Sequence, residues 1–348
     1  MSNVYYKKIN SETNINEIKE MTKELLNTII SKENITLEKK IPLKIHVGEK
    51  GNVTYIKPEN FEGIIDLLKE KDIETCFIET CTLYAGQRYT KELHLKIAEE
   101  HGFTQIPIII ADGEHGESFV EVEINKKHLD TCKIGKAFLD YNQVFVLSHF
   151  KGHMLAGFGG AIKQLSMGHA ARGGKLAVHI GIKPKIKNRK CKKCKLCETR
   201  CNEKAITIEK EGKSFIDHEK CVGCGACLSI CPHKAISILS IKSILRMLGM
   251  GNPFKEKVVE MAYAAQKDKK NIYFNFAMNI TNRCDCESKK LKIIMDDIGI
   301  FVSTDPVAID KACYDIVAEN GKKFRGFGQF AYAEKIGLGS TEYQLIEV

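Results

Sequence analysis

Eight of the fourteen cysteines in this 348-residue sequence fall into two runs, Cys191-x2-Cys194-x2-Cys197-x3-Cys201 and Cys221-x2-Cys224-x2-Cys227-x3-Cys231, the second closed by Pro232. The second run repeats the first 30 residues later, and Lys204-Ala205-Ile206 is echoed by Lys234-Ala235-Ile236. Two-residue gaps let three thiolates on one tight loop face a single iron–sulfur cubane, while the fourth cysteine reaches the other cubane. The spacing therefore predicts two [4Fe–4S] clusters, one on Cys191, Cys194, Cys197 and Cys231, the other on Cys221, Cys224, Cys227 and Cys201. Gly223 and Gly225 permit the close turns that bring backbone amides to sulfur. Two zinc sites would also use four cysteines each, but the doubled spacing is far more specific for clusters. Asn202 stands where the second run has proline, a departure that bears on the stiffness of the first loop.

A second group of reactive side chains lies upstream. Val144 to Leu147 reads as a buried strand, and Ser148 to Gly152 follows its C-terminal end, where open α/β sheets bind ligands. An extended chain there puts His149, Lys151 and His153 on one face by period two. Gly157, Gly159 and Gly160 then open a helix whose free amides suit an anion, so Gly159, Gly160 and Lys151 read as substrate contacts. His153 suits acid–base work near neutrality, with His149 beside it. Lys163 suits a carboxylate or phosphate, or nucleophilic attack if desolvated. The plainer reading makes the histidines structural and Lys163 a surface lysine on an amphipathic helix. Cys284 and Cys286 are separated only by Asp285, which suits a metal-binding or redox-active pair as well as two inert thiols. Tyr84 and Arg88, on a loop after a strand, suit an acidic substrate, and His46 before Gly48-Glu49 is a weaker signal. Cys76, Cys81, Cys132 and Cys313 stand alone and read as core residues.

Three stretches resemble a family of uncharacterised iron–sulfur-centre proteins, a domain of unknown function that often carries a ferredoxin-type insert. They are Thr80-Cys81-Thr82-Leu83-Tyr84-Ala85-Gly86-Gln87-Arg88; Ser148 to His153 with Gly157 to Lys163 and Gly168; and Cys284-Asp285-Cys286 with Asp305-Pro306-Val307-Ala308-Ile309-Asp310. The resemblance spans nearly the whole chain and implies its architecture without supplying an activity. His153-x3-Gly157-Phe158-x-Gly160, with Lys163 ten residues after the histidine, is also similar to a segment of lactate racemase. There the histidine transfers protons and the lysine anchors a nickel-bearing pyridinium nucleotide. Ala161-Ile162 replaces that family's Gly-Arg, which argues against the same cofactor here.

These groups need elements to position them. Phe61, Ile64, Ile65 and Leu68 mark an amphipathic helix. Cys76 to Ile78 and Ile106 to Ile110 read as buried strands, with a helix over Lys91 to Glu100 between them. Ile293 to Met295 and Ile300 to Val302 also read as strands. The helix that follows is capped by Asp305, opened by Pro306 and ended by Asn320-Gly321, with Ile309, Ala312, Cys313, Ile316 and Val317 as its buried stripe. This rhythm predicts an α/β fold with a largely parallel or mixed sheet. Residues 1–186 and 243–348 would share that domain, interrupted over 187–242 by an inserted ferredoxin-like α+β two-cluster domain.

A composition of 43% hydrophobic and 28% charged residues is that of a soluble globular protein. The N-terminal residues lack an apolar export segment, and no apolar run approaches the ~18 residues that span a bilayer, so a cytoplasmic, membrane-free protein is expected. Reduced cysteines, oxygen-sensitive clusters and the lack of Trp fit an anaerobe. The net charge is +9, with eight basic residues between Lys183 and Lys195. They form either a solvated rim or a docking patch for an acidic, low-potential electron donor or acceptor protein. Without interleaved aromatics they do not suggest nucleic acid. Gly157-Phe158-Gly159-Gly160 is no dinucleotide fingerprint. The sequence thus points to an iron–sulfur oxidoreductase acting on an unidentified small molecule. A non-enzymatic ferredoxin-like carrier and a 2-hydroxy-acid racemase- or dehydrogenase-like enzyme are the alternatives.

Overall fold

The computed structural model describes residues 1–238, 245 and 253–348. The expected domain boundary at 242/243 lies outside them. Along the fifth strand of the main sheet, Phe145 and Leu147 enter one hydrophobic core while Val144 and Val146 enter another. A strand apolar on both faces must be covered on both faces.

The covered sheet has eight strands among the described residues: β1 (Ser2–Lys8), β2 (Leu43–Lys44), β3 (Phe77–Glu79), β4 (Ile108–Ile110), β7 (Phe145–His149), β14 (Ile272–Ala277), β15 (Gly299–Ser303) and β16 (Tyr343–Glu347). Four short pairs account for the remaining strands. These are β5 (Phe119–Glu123) with β6 (Thr131–Gly135), β8 (Lys151–His153) with β9 (Gly157–Gly159), β10 (Lys185–Ile186) with β13 (Ile236–Ser237), and β11 (Ile206–Thr207) with β12 (Phe215–Ile216). The large sheet runs β16-β1-β15-β14-β7-β2-β3-β4. It is parallel from β14 to β4, and β15 runs antiparallel to both its neighbours. The fold is therefore α/β with a mixed, mostly parallel sheet. Strands from both sides of the eight-cysteine segment interleave in it, since Tyr5 of β1 pairs with Val302 of β15.

One face is covered by α1 (Ile15–Lys32), α2 (Glu62–Glu70) and α3 (Lys91–Glu100). Asn14 and Glu17 close a capping box at the start of α1, and Thr90 caps α3. The other face carries α4 (Ala161–His169) and α5 (Arg172–His179). Beyond α6 (Leu196–Thr199) and α7 (Ala226–Ile230), both in the cysteine segment, that face also receives α8 (Phe254–Gln266), α9 (Pro306–Glu319) and α10 (Gly328–Ile336). Asp305 caps α9 through the Val307 and Ala308 amides, and the helix ends at Asn320, as expected. Among the described residues, no helix is long and apolar enough to cross a membrane.

Two expectations fail locally. Ile293 to Met295 is not a strand: Ile293 makes only an isolated bridge to Thr281 and is 47% exposed, because charged neighbours on both sides hold the segment at the surface. Gly157 to Gly159 forms β9 rather than a helix start, and only Gly160 caps α4. In the cysteine segment, Ile206, Ile208 and Ile236 make a small core of their own with Cys197. Its repeat is visible in the backbone, since Lys204 and Lys234 share a left-handed φ of 49°.

Phe301 projects from β15 into the core beneath α9 and is fully buried. Phe301→Ala is expected to lower stability by about 3–5 kcal/mol. A denaturation curve should show a lower midpoint at unchanged slope.

Candidate functional site

The C-terminal ends of the parallel strands converge on one buried polar region. After β2 the chain supplies His46 and Glu49, after β3 Thr80 to Arg88, after β7 His149 to His153, and after β14 Cys284 to Cys286. Asp285, fully buried, holds these loops together. Its Oδ2 accepts from His149 Nδ1 at 2.8 Å and from Lys151 Nζ at 2.7 Å, while its carbonyl accepts the Glu49 amide at 3.1 Å. Burial alone would raise this carboxyl, but His149 and Lys151 hold it well below the usual range. Gly152 lets β8 lie directly on this loop. Its amide donates to the Thr281 carbonyl at 2.7 Å, and a Cβ there would strike the Asn282 backbone.

On the far side of Asp285 stand His153, Lys163, Cys284 and Cys286. Possible ligand atoms of His153, Cys284 and Cys286 lie within 4.8 Å of one another, which makes this a possible metal-binding group in a cysteine-rich chain. Lys163 Nζ lies 3.7 Å from Cys284 Sγ. A hydrogen bond from Cys286, then Lys163 and His153, bring the Cys284 thiol well below its ordinary value despite burial. Cys286, donating to Cys284, is pushed up. Burial would lower Lys163, but the two sulfurs outweigh it and keep the ammonium charged. Burial first, then Lys163, lowers His153 and keeps it neutral.

His149 and Lys151 thus meet at Asp285, while His153 reaches Cys284. Their tasks differ. Both ring nitrogens of His149 face oxygen acceptors, Asp285 on one side and the Met278 carbonyl at 2.8 Å on the other. Arg88 is buried and committed to Glu49 (3.3 Å), His46 (3.0 Å) and the Tyr84 hydroxyl. Tyr84 sits at the rim, 40% exposed. The α4 amides expected to be free beyond Gly159 and Gly160 are occupied: Ala161 N and Ile162 N donate to the Asp310 carboxylate at 2.6 and 3.0 Å. Of the lone cysteines, Cys81, Cys132 and Cys313 are buried in the interior and Cys76 partly so.

The sequence reading missed Asp285, Glu49 and the buried Lys175, whose Nζ donates to Thr80, Cys81 and Ala170 oxygens at 2.7 Å each. Burial lowers Lys175 to about 8. The position of Asp285 between two cysteines was the only available signal for it.

In the eight-cysteine segment, Cys197 and Cys201 from the first run line one cavity with Cys221, Cys224 and Cys227 of the second. Cys197 lies within electrostatic reach of Cys231, Cys191 and Cys194. All eight are free thiols. The Ala205 and Ala235 amides each donate to the sulfur four residues back, Cys201 and Cys231, at 3.3 Å. This segment abuts the main domain at α5. A Cβ on Gly173 would touch the Cys224 backbone, and Arg172 packs on Gly225 while donating to the Thr82 carbonyl at 3.1 Å and to that of Tyr89. The loop from Thr80 to Arg88 therefore runs from the cysteine segment to the Asp285 region.

Together these features define a mixed-sheet α/β protein with a cysteine-rich segment and a possible metal-binding group at its strand ends. The chain belongs to the family described as domain of unknown function DUF362, which matches residues 41–315. It is similar to the crystal structure of a protein from Thermotoga maritima, with a TM-score of 0.44 and 11% identity over 90% of this chain and 60% of that one. It is also similar to the lactate racemase apoprotein from Thermoanaerobacterium thermosaccharolyticum, with a TM-score of 0.37 and 12% identity over 80% of this chain and 51% of that one. The chain thus spans about half to three-fifths of the length of these structures. No curated protein matches it in sequence.

Removing the Asp285 charge leaves Lys151 buried without its partner. Asp285→Asn is expected to cost about 3–5 kcal/mol at neutral pH. Because the carboxyl is depressed in the folded chain, its contribution is complete above the unfolded value of about 4 and is lost as pH falls further. The wild type should therefore lose stability below about pH 4, with a flatter acid limb in the variant. An unchanged limb in unfolding curves taken at several pH values would remove Asp285 from this role.

Proposed function

We propose that the chain is an iron–sulfur electron-transfer protein whose cysteine segment is a ferredoxin-like insert over 187–242, serving a site at the strand ends of the α/β domain. The carrying observation is the cavity that brings Cys197 and Cys201 of the first run together with Cys221, Cys224 and Cys227 of the second, so that the two runs share one lining. That crossover is what the doubled spacing requires. Cys191, Cys194, Cys197 and Cys231 would hold the other cluster. The fit is supported by matched amide-to-sulfur hydrogen bonds at Cys201 and Cys231. Two [4Fe–4S] clusters would supply one-electron transfer at a potential set by those hydrogen bonds and by burial.

The chain's own residues do the rest. The eight exposed basic residues between Lys183 and Lys195 offer an acidic carrier protein a docking face next to Cys191 and Cys194. Arg172 and the Thr80–Arg88 loop keep the cysteine segment packed against the domain that holds His153 and Lys163. Lys151 and His149 fix Asp285, and so the sulfurs on either side of it. An acid–base role of the racemase type for His153 and Lys163 is less well supported, because both side chains are turned toward Cys284.

Anaerobic purification with iron and acid-labile sulfide analysis is expected to give about eight of each per chain. Cys201→Ala should lose one cluster's signal in the reduced electron paramagnetic resonance spectrum while keeping the other. Stoichiometric zinc without sulfide would overturn the reading. Full electron transfer to all acceptors after Lys163→Ala and His153→Ala would leave a simple carrier in place of a reductase.

A further inference from the structure

Cys284 and Cys286 are spaced too closely for an ordinary structural bridge, and their surroundings do not suit inert core thiols. A metal ion would need a nitrogen lone pair from His153. Its Nδ1 accepts the Leu155 and Ala156 amides at 3.2 and 3.0 Å, so a neutral ring carries its proton on Nε2. A ligating histidine shows the reverse, with its second nitrogen donating to a carboxylate or carbonyl. The ring is therefore a donor toward Cys284, as is the Lys163 ammonium at 3.7 Å. The turn closed by the Glu287 amide on the Cys284 carbonyl, 3.0 Å, folds Cys286 back so that its thiol meets the same sulfur. Three donors around one sulfur stabilise a thiolate.

We propose that Cys284 and Cys286 form a two-electron dithiol–disulfide couple, with Cys284 as the nucleophile, that reduces small-molecule disulfides. Small substrates are favoured by access. Cys284 is 3% exposed, whereas Cys286, His153 and Lys163 are partly exposed, and Met154 next to His153 is 70% exposed. The Cys284 thiolate attacks one sulfur of R–S–S–R, forming a mixed disulfide and releasing R–S⁻. The Cys286 thiol then gives up its proton to the second leaving R–S⁻ as its sulfur attacks Cys284. The substrate gains two electrons and leaves as one thiolate and one thiol, and the chain keeps a Cys284–Cys286 disulfide. Two electrons and one proton restore the thiolate–thiol pair. Their source is a low-potential one-electron carrier protein, and for this supply alone the inference rests on the electron-transfer reading above.

The lowered Cys284 and raised Cys286 agree with this division of labour. The groups facing the pair are His153 from β8, Lys163 from α4, Tyr84 and Arg88 from the loop after β3, His46 from the loop after β2, and Asp285 with Lys151 behind. Lys163 is the only one of these cations within 4 Å of Cys284 Sγ that a hydrogen bond records among the described residues.

Iodoacetamide labelling of the anaerobically isolated chain, read by peptide mass spectrometry, tests the nucleophile. Cys284 should label at pH 6 at nearly its pH 9 rate. Lys163→Met should slow the pH 6 rate about tenfold, the effect of one pKa unit, and Lys163→Arg should restore it. Oxidised and reduced glutathione mixtures test the couple on the wild type, so it stands even if the variants fail to fold. The peptide carrying both cysteines should lose two hydrogens in a single two-electron transition. Labelling only above about pH 8.5, cysteines that stay reduced in every mixture, or a stoichiometric metal that blocks labelling until chelated would each overturn the inference. A disulfide transition in a chain without iron sinks the cluster reading alone. Two full clusters with no such transition sink this one alone.

Discussion

A carboxylate buried between a lysine and a histidine sets the geometry of everything around it. Asp285 reaches Lys151 and His149 on β7 and β8, while its backbone carbonyl holds Glu49 from the loop after β2. Removing two charges from water costs more than most pairs recover, so such an arrangement persists only where geometry and further hydrogen bonds are good. Here the Met278 carbonyl accepts from the other ring nitrogen of His149 and the His149 carbonyl accepts from Lys151, while Asp285 Oδ1 is buried without a hydrogen bond. Since Asp285 lies between two cysteines, fixing its side chain also fixes which way both sulfurs face. Neutralising Lys151 with a carboxylate leaves the Lys163 charge without an acid of its own. The Cys284 sulfur, 3.7 Å from Lys163 Nζ, is the group left to meet it.

The same logic extends to the contact with the cysteine segment. Arg172 has no exposed surface, yet it pairs with no carboxylate within salt-bridge distance among the described residues. It donates instead to the Thr82 and Tyr89 carbonyls and stacks 4.2 Å from the Tyr89 ring. A guanidinium used this way stiffens the Thr80–Arg88 loop from one end, as Glu49 and His46 do through Arg88 from the other. Glycine at position 173 is required because the Cys224 backbone lies where a side chain would go. Close packing of this kind leaves the loop no room to act as a moving lid.

Much of this was legible in the sequence where one local rule sufficed. The cysteine spacing, the Asp305-Pro306 helix start, the helix over Lys91 to Glu100 and the period-two pairing of His149 with Lys151 each depend on near neighbours alone. Partners distant in sequence were not legible. Nothing local says that Asp285 will receive Lys151 from 134 residues away, or that Lys175 will be solvated by three oxygens from the β3 loop and α4. The Ile293 run misled because three apolar residues satisfy a strand pattern whether or not a sheet edge is there to receive them.

The glycine-rich approach to α4 shows how a motif can point to the right place for the wrong reason. Helix starts attract anions, and Gly160 opens one beside the site. The anion that arrives is the protein's own. Asp310 reaches across from α9 to the Ala161 and Ile162 amides and also accepts from Asn275 at 2.8 Å, with burial raising it to about 6. A Cβ at Gly160 would collide with this carboxylate, so the glycine serves the internal cap. With that positive helix end already met, a phosphate-bearing ligand would not find the Ala161 and Ile162 amides free. The proposed dithiol couple fits this arrangement, because it needs a substrate that thiolate chemistry can engage and not one held at the helix start by its charge.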